Sequence, residues 1–367
     1  MSRRDRVTEM HKMHKMPEMT EMLNFLLKSP GTDSKPLIDM IEEASDGFRK
    51  ICVLNTAIEI GIFEGLKLPR TIDELSETLK CDRKLLLILC EVLRDLNLVS
   101  KRGEVYQNTE IANEFLTRNS AYNQIPFIEH RIKNLSLWLE LSEIVKKGPV
   151  KLEAERFFSD RVLDSIAQNS LLGEIQRTVG IVSSYSEFKT AKKLLDLGGG
   201  HGLYSIAFTA INENLQAYVF DLPHVVWKTK EYLQKFKAER VSVITGNFFT
   251  DGLGSGYDVV FSSYNPSGKK EELIPKIYSC LNTDGLYINK QYFPENERTQ
   301  NRKYSLLDLE WNLWTFDGMN KGEKAYTFKN DLSLAEYLKK LEDVGFKILD
   351  VIGINRDDKI IVAKKVH

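Results

Sequence analysis

A glycine-rich loop after a short apolar run is the first feature of the sequence that could do chemistry. The run ends at Asp196 and continues Leu-Gly-Gly-Gly-His-Gly, so that Gly198, Gly200 and Gly202 precede an apolar stretch from Leu203. Glycine lets a chain turn sharply and brings bare backbone against a ligand, in the crevice where doubly wound sheets bind cofactors. The closing glycine of a dinucleotide fingerprint is absent, and an acid at this place suits a cation better than a pyrophosphate. The loop therefore predicts a ligand site.

Two further polar turns follow at the spacing of successive strands. Asp221 ends the second apolar run, where a carboxylate can hold a ribose diol through two charge-assisted hydrogen bonds. Asn247 and Phe248 follow the third run and offer an amide and a ring that can bond and sandwich a purine. Acid, glycine loop, acid and polar-aromatic turn describe S-adenosylmethionine (SAM) better than NAD, so SAM is the predicted cofactor.

The elements that must position these residues are short strands alternating with helices from Phe188 onward. This alternation predicts an α/β fold, a Rossmann-like domain with a mostly parallel, doubly wound sheet of seven strands. The predicted strands are 194–197, 216–220, 241–245, 258–263, 285–291, 346–352 and 359–363. A helix near 333–344 precedes the last two strands, which can pair with each other in antiparallel fashion.

The part of the chain from Ile41 to about Lys147 shows helical periodicity in short segments. The predicted helices are 46–66, 71–79 and 83–96, followed by two short strands about a glycine turn at 99–106. Thr71 and Glu74 form a capping-box pattern at the start of the second helix. Helix, helix, helix and hairpin is the winged-helix plan. The third helix is apolar almost all round, which favours a core or subunit interface over contact with DNA bases.

Helical stretches over 124–144 and 160–185 connect this region to the sheet, and a methionine-rich segment precedes it. Methionine recurs every third residue from Met10 to Met22, beside His11 and His14. Two histidines without carboxylate or thiolate partners are weak metal ligands, so we predict a dimer-contact helix or arm and no metal site. The predicted domains are an N-terminal extension at 1–40, a mostly helical winged-helix dimerisation domain at 41–120, a linker roofing the pocket at 121–187 and a SAM-binding domain at 188–367.

Composition and charge exclude several classes of function. The 367 residues include 51 Lys and Arg against 52 Asp and Glu, and this net charge of −1 supplies no bulk field for attracting nucleic acid or anionic lipid. The apolar stretches fall short of the roughly 18 residues of a spanning helix, and the start lacks the apolar core of a signal peptide. Four scattered cysteines without a CxxC pair suit a reducing compartment. We predict a cytoplasmic protein without membrane or nucleic-acid partners.

Together the motifs resemble those of the winged-helix, dimeric class I SAM-dependent methyltransferases, which include caffeate- and acetylserotonin-type O-methyltransferases and bacterial tailoring relatives. The resemblance covers residue 41 to the end and is carried by Asp-Leu-Gly-Gly-Gly-His-Gly, Phe-Asp-Leu-Pro-His-Val-Val and Gly-Asn-Phe-Phe. It implies a SAM-dependent homodimer that acts on a small-molecule acceptor. The cofactor-binding residues that it implies, in addition to Asp196, are Gly198, Gly200 and Gly202 along the methionine portion, Asp221 with Leu222 at the ribose, and Asn247 with Phe248 at the adenine.

Two positions depart from the family pattern. Asn247 stands where the family has Asp, and its carbonyl oxygen can still accept from an adenine amino group. The His-Asp pair that the family's oxygen methylators carry after the fourth strand is replaced by a segment from Ser262 to Gly268 without histidine. Methyl transfer requires near-attack geometry, and an alcohol or phenol also needs deprotonation, whereas an amine, a thiolate or a metal-bound nucleophile does not. The usual general base is therefore missing.

Four side chains are candidates for the catalytic role. His130 lies in the helical linker, Glu323 lies near the family's flanking Glu, Tyr264 can orient a nucleophile, and Asn265 before Pro266 resembles the loop of amino-group methylators. His201 and His224 are expected to contact cofactor or backbone. The aromatic residues that could line an acceptor pocket, or equally pack in the core, are Trp138, Trp311, Trp314 and Phe316.

The predicted function is SAM-dependent methyl transfer to a small molecule, with oxygen as the acceptor atom that the family resemblance favours. Transfer to nitrogen, sulfur or carbon is the first alternative, because the histidine is missing. A SAM-binding family member with non-methylating chemistry is the second. A winged-helix DNA-binding regulator is the third, and the absence of salt-dependent binding to duplex DNA would dismiss it.

Overall fold

A seven-stranded sheet organises the carboxyl-terminal half of the protein, whose computed structural model describes residues 26–153, 158, 160–294 and 304–366. Its strands in chain order are β5 (Lys193–Leu197), β6 (Gln216–Asp221), β7 (Val241–Thr245), β8 (Tyr257–Ser263), β9 (Leu281–Tyr292), β11 (Phe346–Gly353) and β12 (Asp358–Lys365). The order across the sheet is β11-β12-β9-β8-β5-β6-β7. Strands β5 to β9 pair in parallel, and β12 pairs antiparallel with both β9 and β11. The mostly parallel seven-stranded sheet is confirmed.

Apolar side chains cover both faces of this sheet, as expected for parallel strands buried on two sides. Along β5, Leu194 points into one apolar cluster and Leu195 into the other, following the two-residue alternation of a strand. The helices that flank the sheet are α9 (Glu174–Ser183), α10 (Ser186–Thr190), α11 (Leu203–Ile211), α12 (Pro223–Phe236), α13 (Ile274–Cys280) and α15 (Leu334–Val344). Phe208 on α11 packs in the first cluster and Ile277 on α13 packs in the second.

Strand β5 occupies the position where ligands bind in doubly wound sheets. It lies between β6 and β8. The connection that leaves β5 passes over one face of the sheet through α11, whereas the connection that leaves β8 passes over the other face through α13. Asp196 is level with Val219 on β6 and with Phe261 on β8. The carboxyl ends of these three strands therefore open into one crevice at the topological switch point.

The amino-terminal region contains the predicted succession of short helices and a hairpin. Its elements are α1 (Lys35–Glu59), α2 (Ile62–Gly65), β1 (Arg70–Thr71), α3 (Ile72–Leu79), α4 (Arg83–Asp95), β2 (Val99–Arg102), β3 (Val105–Asn108) and α5 (Glu110–Phe115). The Thr71–Glu74 capping box is present, and the side chain of Asp82 caps α4 by accepting from the Leu85 N–H. The three strands form a sheet of order β1-β3-β2. The chain divides into two units, Met1–Ala57 and Ile58–His367.

The first predicted helix, 46–66, has the wrong bounds. The helix α1 begins at Lys35 rather than at residue 46 and ends at Glu59. Pro36 lies in the first turn of α1, where its missing N–H costs no hydrogen bond, so it does not break the helix. Gly61, with a φ of 81°, separates α1 from α2. The methionine-rich segment and its two histidines lie outside the described residues.

Two long predicted helices are each divided into two. The stretch 124–144 forms α6 (Ile125–Leu139) and α7 (Leu141–Lys147), which meet at Glu140. The stretch 160–185 forms α8 (Asp160–Ser170) and α9, because Gly173 adopts a φ of 101° between them. The remaining elements are β4 (Val150–Lys151), paired with β10 (Trp314–Thr315), the short helix α14 (Leu306–Asn312), and 3-10 turns at Pro266–Lys269 and Glu271–Leu273.

The apolar helix α4 is half exposed in the single chain. Leu86, Cys90 and Leu93 are buried, whereas Leu85 and Ile88 are 67% and 51% exposed. In the described part of the chain, no helix is long and apolar enough to cross a membrane. The same residues contain no group of three or more acidic, histidine or cysteine side chains placed to hold a metal ion.

Candidate cofactor site

The glycine loop turns through three residues with positive φ. Gly198, Gly200 and Gly202 have φ values of 69°, 53° and 73°. A Cβ atom on Gly198 would lie 2.7 Å from the Asn265 amide nitrogen, and one on Gly202 would lie 2.9 Å from a methyl group of Thr229. Left-handed backbone and crowding together require glycine at both positions.

Asp221 ties this loop to strand β6. Its carboxylate accepts the Gly200 N–H at 2.8 Å and the Leu222 N–H at 2.7 Å. Burial raises the pKa of Asp221, and the two backbone donors oppose that shift by favouring the charged form. The loop and the acid therefore form one rigid unit before any ligand binds.

Asp196 lies almost fully buried beneath the loop. The Ser205 hydroxyl donates to its carboxylate at 2.8 Å. Burial raises the pKa of Asp196 to about 7, and the neighbouring charge of Asp221 acts in the same direction. Among the described residues, no Lys or Arg forms an ion pair with either carboxylate. Two adjacent buried acids without a cation fit the sulfonium and ammonium charges of SAM.

The two histidines expected near the cofactor both lie beside the loop region. His201 Nδ1 accepts the Leu203 N–H at 3.1 Å, and burial lowers the pKa of His201 to about 4 with a smaller contribution from Lys290. His201 therefore caps α11 as a neutral imidazole. His224 packs against Phe158 with ring centroids 5.7 Å apart. Its buried Nε2 has no hydrogen-bond partner in the described structure.

The turn after β7 is ordered by its own hydrogen bonds. The side-chain oxygen Oδ1 of Asn247 accepts the Phe249 N–H at 3.0 Å, and the backbone N–H of Asn247 donates to the Asp251 carboxylate at 2.8 Å. Lys276 donates to the Phe248 carbonyl at 2.8 Å. Phe248 is buried and Asn247 is exposed. An exposed amide therefore stands at the end of β7, with one acceptor position of Asn247 already used, whereas the Phe248 ring packs in the second apolar cluster.

The turn after β8 uses the Asn265 side chain internally. Its amide nitrogen donates to the Leu197 carbonyl, and its oxygen accepts from the Ser267 N–H at 2.9 Å and from the Ser262 hydroxyl at 3.3 Å. Gln291 donates to the Asn265 carbonyl at 2.7 Å. Asn265 therefore joins the ends of β5, β8 and β9, and both ends of its amide are engaged.

Tyr264 precedes this turn in a left-handed conformation, with a φ of 49°. Its N–H donates to the Lys290 carbonyl at 2.9 Å, and the Lys290 ammonium lies 4.8 Å from the centre of its ring. Tyr264 is 44% exposed. Burial of the phenol, followed by the nearby charge of Asp358, raises the pKa of Tyr264 above its ordinary value. The phenol therefore remains protonated at neutral pH.

The other two catalytic candidates lie on separate elements. His130 is half-buried on α6 within 3.3 Å of the Asn134 amide, and burial, followed by the charge of Arg131, lowers the pKa of His130. Its imidazole is therefore neutral at pH 7 and can accept a proton. Glu323 is exposed and accepts a hydrogen bond from the Tyr304 hydroxyl.

Three of the four predicted pocket aromatics form one cluster. The ring centroids of Trp311 and Trp314 lie 5.6 Å apart, those of Trp314 and Phe316 6.1 Å, and Phe158 extends the cluster at 6.0 Å from Phe316. Through Phe158 this cluster reaches His224. Trp138 instead donates through its indole N–H to Glu310 at 3.1 Å, which fastens α6 to α14.

A buried ion pair beside the loop was not predicted from the sequence. Lys290 on β9 is fully buried and forms an ion pair with Glu174 at the start of α9. Its ammonium also donates to the Tyr204 hydroxyl at 2.9 Å, and Tyr204 donates to Glu174 at 3.1 Å. The sequence signal is a single charged residue, between Asn289 and Gln291, in the predicted strand 285–291.

Comparisons with known proteins agree with this geometry. A family model described as an O-methyltransferase domain matches residues 163–328, and one described as an O-methyltransferase dimerisation domain matches residues 42–118. An uncharacterized protein of Methanocaldococcus jannaschii is 39% identical over 336 residues, which is 90% of each chain. Human acetylserotonin O-methyltransferase is 22% identical over 73% of this chain and 84% of its own length.

Solved structures share the fold. An O-methyltransferase family protein from Burkholderia thailandensis superposes with a TM-score of 0.71 at 20% identity, covering 90% of this chain and 98% of that one. The human N-acetylserotonin methyltransferase in complex with SAM superposes with a TM-score of 0.68 at 19% identity, covering 93% and 100%. With the two family models, the archaeal relative and this crevice, the chain belongs to the SAM-dependent O-methyltransferases that carry a dimerisation domain.

Proposed function

We propose that the protein transfers the methyl group of SAM to an oxygen atom of a small-molecule acceptor and works as a homodimer in the cytoplasm. The observation that carries the proposal is the pair of buried carboxylates, Asp196 and Asp221, around a glycine loop that Asp221 itself holds through the Gly200 N–H. The O-methyltransferase and dimerisation matches support the reaction class and the dimer. Four free cysteines support a reducing compartment.

The residues of the chain itself bind the cofactor and orient it toward the acceptor. SAM, when bound, supplies a sulfonium methyl group that is open to in-line displacement. We assign Asp221 to the ribose hydroxyls, and Asn247 with Phe248 to the adenine, as the family resemblance implies. Asp196 supplies negative charge beneath the loop, where a cation gains most from a desolvated carboxylate. Asn265 fixes the end of β8 against Gly198, which keeps the crevice in one shape.

A group other than the family's usual histidine must remove the proton from an oxygen acceptor. The turn that follows β8 offers Tyr264, which stays protonated, and Asn265, whose amide is engaged. We assign the proton to His130, because its imidazole is neutral at pH 7 and the family resemblance puts its helical linker over the pocket. We assign Tyr264 and Asn265 to positioning the acceptor. Glu323 takes no part in proton transfer in this proposal, because it is exposed and accepts a hydrogen bond from Tyr304.

Transfer to an amine or a thiol is the second candidate, and the absence of a base in the turn after β8 favours it. Such a nucleophile carries a usable lone pair or ionises without an enzymatic base. The cluster of Trp311, Trp314 and Phe316 offers flat apolar surfaces that would suit a planar acceptor of either kind.

The test has two stages. Calorimetry with S-adenosylhomocysteine (SAH) first measures whether the full chain binds the demethylated cofactor. Methyl-labelled SAM is then incubated with a panel of phenols, amines and thiols. Label on a phenol supports the proposal, and label on amines or thiols alone supports the second candidate. No heat with SAH from folded protein would refute both.

A further inference from the structure

The aromatic cluster of Trp311, Trp314 and Phe316 reaches the cofactor crevice beside strand β6. The Phe158 ring lies between those of Phe316 and His224, with centroids 6.0 Å and 5.7 Å away. His224 belongs to the first turn of α12, which directly follows the acid that ends β6. A row of rings therefore connects the cluster to the place where we assign the ribose.

The same cluster also reaches the turn that follows β8. The ring of Tyr326 lies 5.6 Å from that of Trp311 and 5.9 Å from that of Tyr292, the last residue of β9. The ammonium group of Lys269, which ends the 3-10 turn after β8, donates to the Tyr326 carbonyl at 3.0 Å. The cluster thus adjoins the crevice at two separate strand ends, and the acceptor has to bind in this crevice, next to the cofactor.

Lys321 places a positive charge against the two indole rings. Its ammonium group lies 4.2 Å from the centre of the Trp311 ring and 3.1 Å from the centre of the Trp314 ring. It donates to the backbone carbonyls of the same two residues. An ammonium group has three protons, so one proton is left for a further partner. Lys321 and Trp314 are both half-buried, which leaves part of each side chain open to a ligand.

The charge of Lys321 lacks a counter-charge. In the described part of the chain no carboxylate pairs with Lys321, whereas the nearby Lys269 and Lys324 pair with Asp331 and Asp308. Burial alone lowers the pKa of Lys321 to about 7. An ammonium group that is taken from water without a counter-charge is costly. The two carbonyl groups do not account for this cost, because a neutral donor would also satisfy them.

We propose that the acceptor is an aromatic hydroxy acid, and that Lys321 selects it by donating to its carboxylate while its ring lies against Trp314 and Phe316. The carboxylate supplies the counter-charge that Lys321 lacks, through a charge-assisted hydrogen bond in a site partly removed from water. It serves for binding and takes no part in the methyl transfer. The inference rests on the proposed function, because it names the class of acceptor for the same crevice.

The test compares each of two acids with its own methyl ester, which keeps the ring and the hydroxyl and removes the charge. The acids are 6-hydroxy-2-naphthoate and 3-hydroxybenzoate. Calorimetry on the full chain saturated with SAH should show that at least one acid binds about tenfold or more tightly than its ester. In Lys321→Gln, which removes the charge and keeps a donor for the carbonyl groups, the affinity for that acid should fall about tenfold. The affinities for the ester and for SAH should stay within about twofold.

Two variants serve as controls. Lys321→Arg keeps the charge and should keep the preference for the acid. Lys365→Met should alter no affinity, because Lys365 also lies over a ring, that of Tyr278, and donates to two backbone carbonyls, but does so beside the start of β9.

Three results would contradict the inference. Equal loss for acid and ester in Lys321→Gln would show that Lys321 only holds the two carbonyl groups. An unchanged preference in that variant would show that another cation binds the acid. An unmodified chain that binds SAH and prefers neither acid over its ester would overturn the inference and leave the proposed function in place. A chain that does not bind SAH would instead refute the proposed function.

Discussion

The residue with the most informative chemistry is Asp196, because burial raises its pKa to about 7. A folded-state pKa above the unfolded value means that the free protein loses stability as pH rises from about 4 toward 7, because the carboxyl group ionises in the unfolded chain while it stays protonated in the folded one. A cationic ligand has the opposite preference, since it binds the ionised acid. Stability of the free chain and affinity for SAM should therefore change in opposite directions over the same pH range.

The affinity for SAM should rise with pH up to about 7 and then level off. The slope below pH 7 should approach tenfold per pH unit, because binding requires that Asp196 lose its proton. Calorimetry from pH 5.5 to 8 measures this slope. Asp196→Asn should bind more weakly and with a much shallower slope. The same slope in that variant would show that another group titrates.

His130 is the residue on which proton removal depends. Burial lowers the pKa of His130 below its ordinary 6.5, so activity should fall only at pH values under 6.5, where the imidazole becomes charged. With a phenol acceptor identified by the label screen, His130→Gln should lower kcat by about 100-fold or more and leave SAH affinity unchanged. Ser136→Ala on the exposed side of the same helix is the control. An unchanged kcat would point to an acceptor that ionises by itself.

At the scale of elements, the crevice depends on the turn that follows β8. Asn265 bonds to Leu197 and to Ser267, so one amide both caps the 3-10 turn and joins two strand ends. A side chain with this many buried partners is expected to matter for stability as well as for shape. Its role as a structural joint was not visible in the sequence, where Asn-Pro suggested a catalytic loop.

Asn265→Ala should lower the free energy of unfolding by roughly 1–3 kcal/mol, because the Leu197 carbonyl and the turn lose their partner. It should also weaken SAH binding, since the wall beside Gly198 is removed. Urea unfolding and calorimetry measure the two effects. Asn214→Ala in an exposed loop should change neither quantity. If the variant loses stability but keeps its full affinity for SAH, Asn265 stabilises the fold without shaping the cofactor site.

Local patterns predicted the first three strands of the sheet well, because β5, β6 and β7 each end at a turn marked by an acid or a glycine: Gly198, Asp221 and Gly246. Helix ends were harder, because the amphipathic pattern continues on both sides of Glu140 and of Gly173, and neither position carries a proline. The Glu174–Lys290 pair could not be predicted, because it joins residues 116 positions apart through the packing of α9 on β9. The topology of the fold determines which distant residues pair, and in a single sequence only the motifs indicate that topology.

At the scale of the whole molecule, the exposed apolar side of α4 is where we expect two copies of the chain to meet. Leu85 and Ile88 are 67% and 51% exposed on a helix whose opposite face is already buried. They lie within the segment that matches the O-methyltransferase dimerisation domain. Apolar residues left in water on one helix face favour burial against a second copy of the chain.

Leu85→Lys combined with Ile88→Lys should shift the protein from dimer to monomer, because two charges would have to be desolvated at the contact. Light scattering coupled to size-exclusion chromatography measures the mass. Val351→Lys is the control, since Val351 is also an exposed apolar residue, 39% exposed, but lies on β11 outside the matched segment. SAH affinity of the monomer then shows whether one chain suffices for the cofactor, because every residue assigned to it here belongs to that chain. A double variant that stays dimeric would mean that this face of α4 is not the contact.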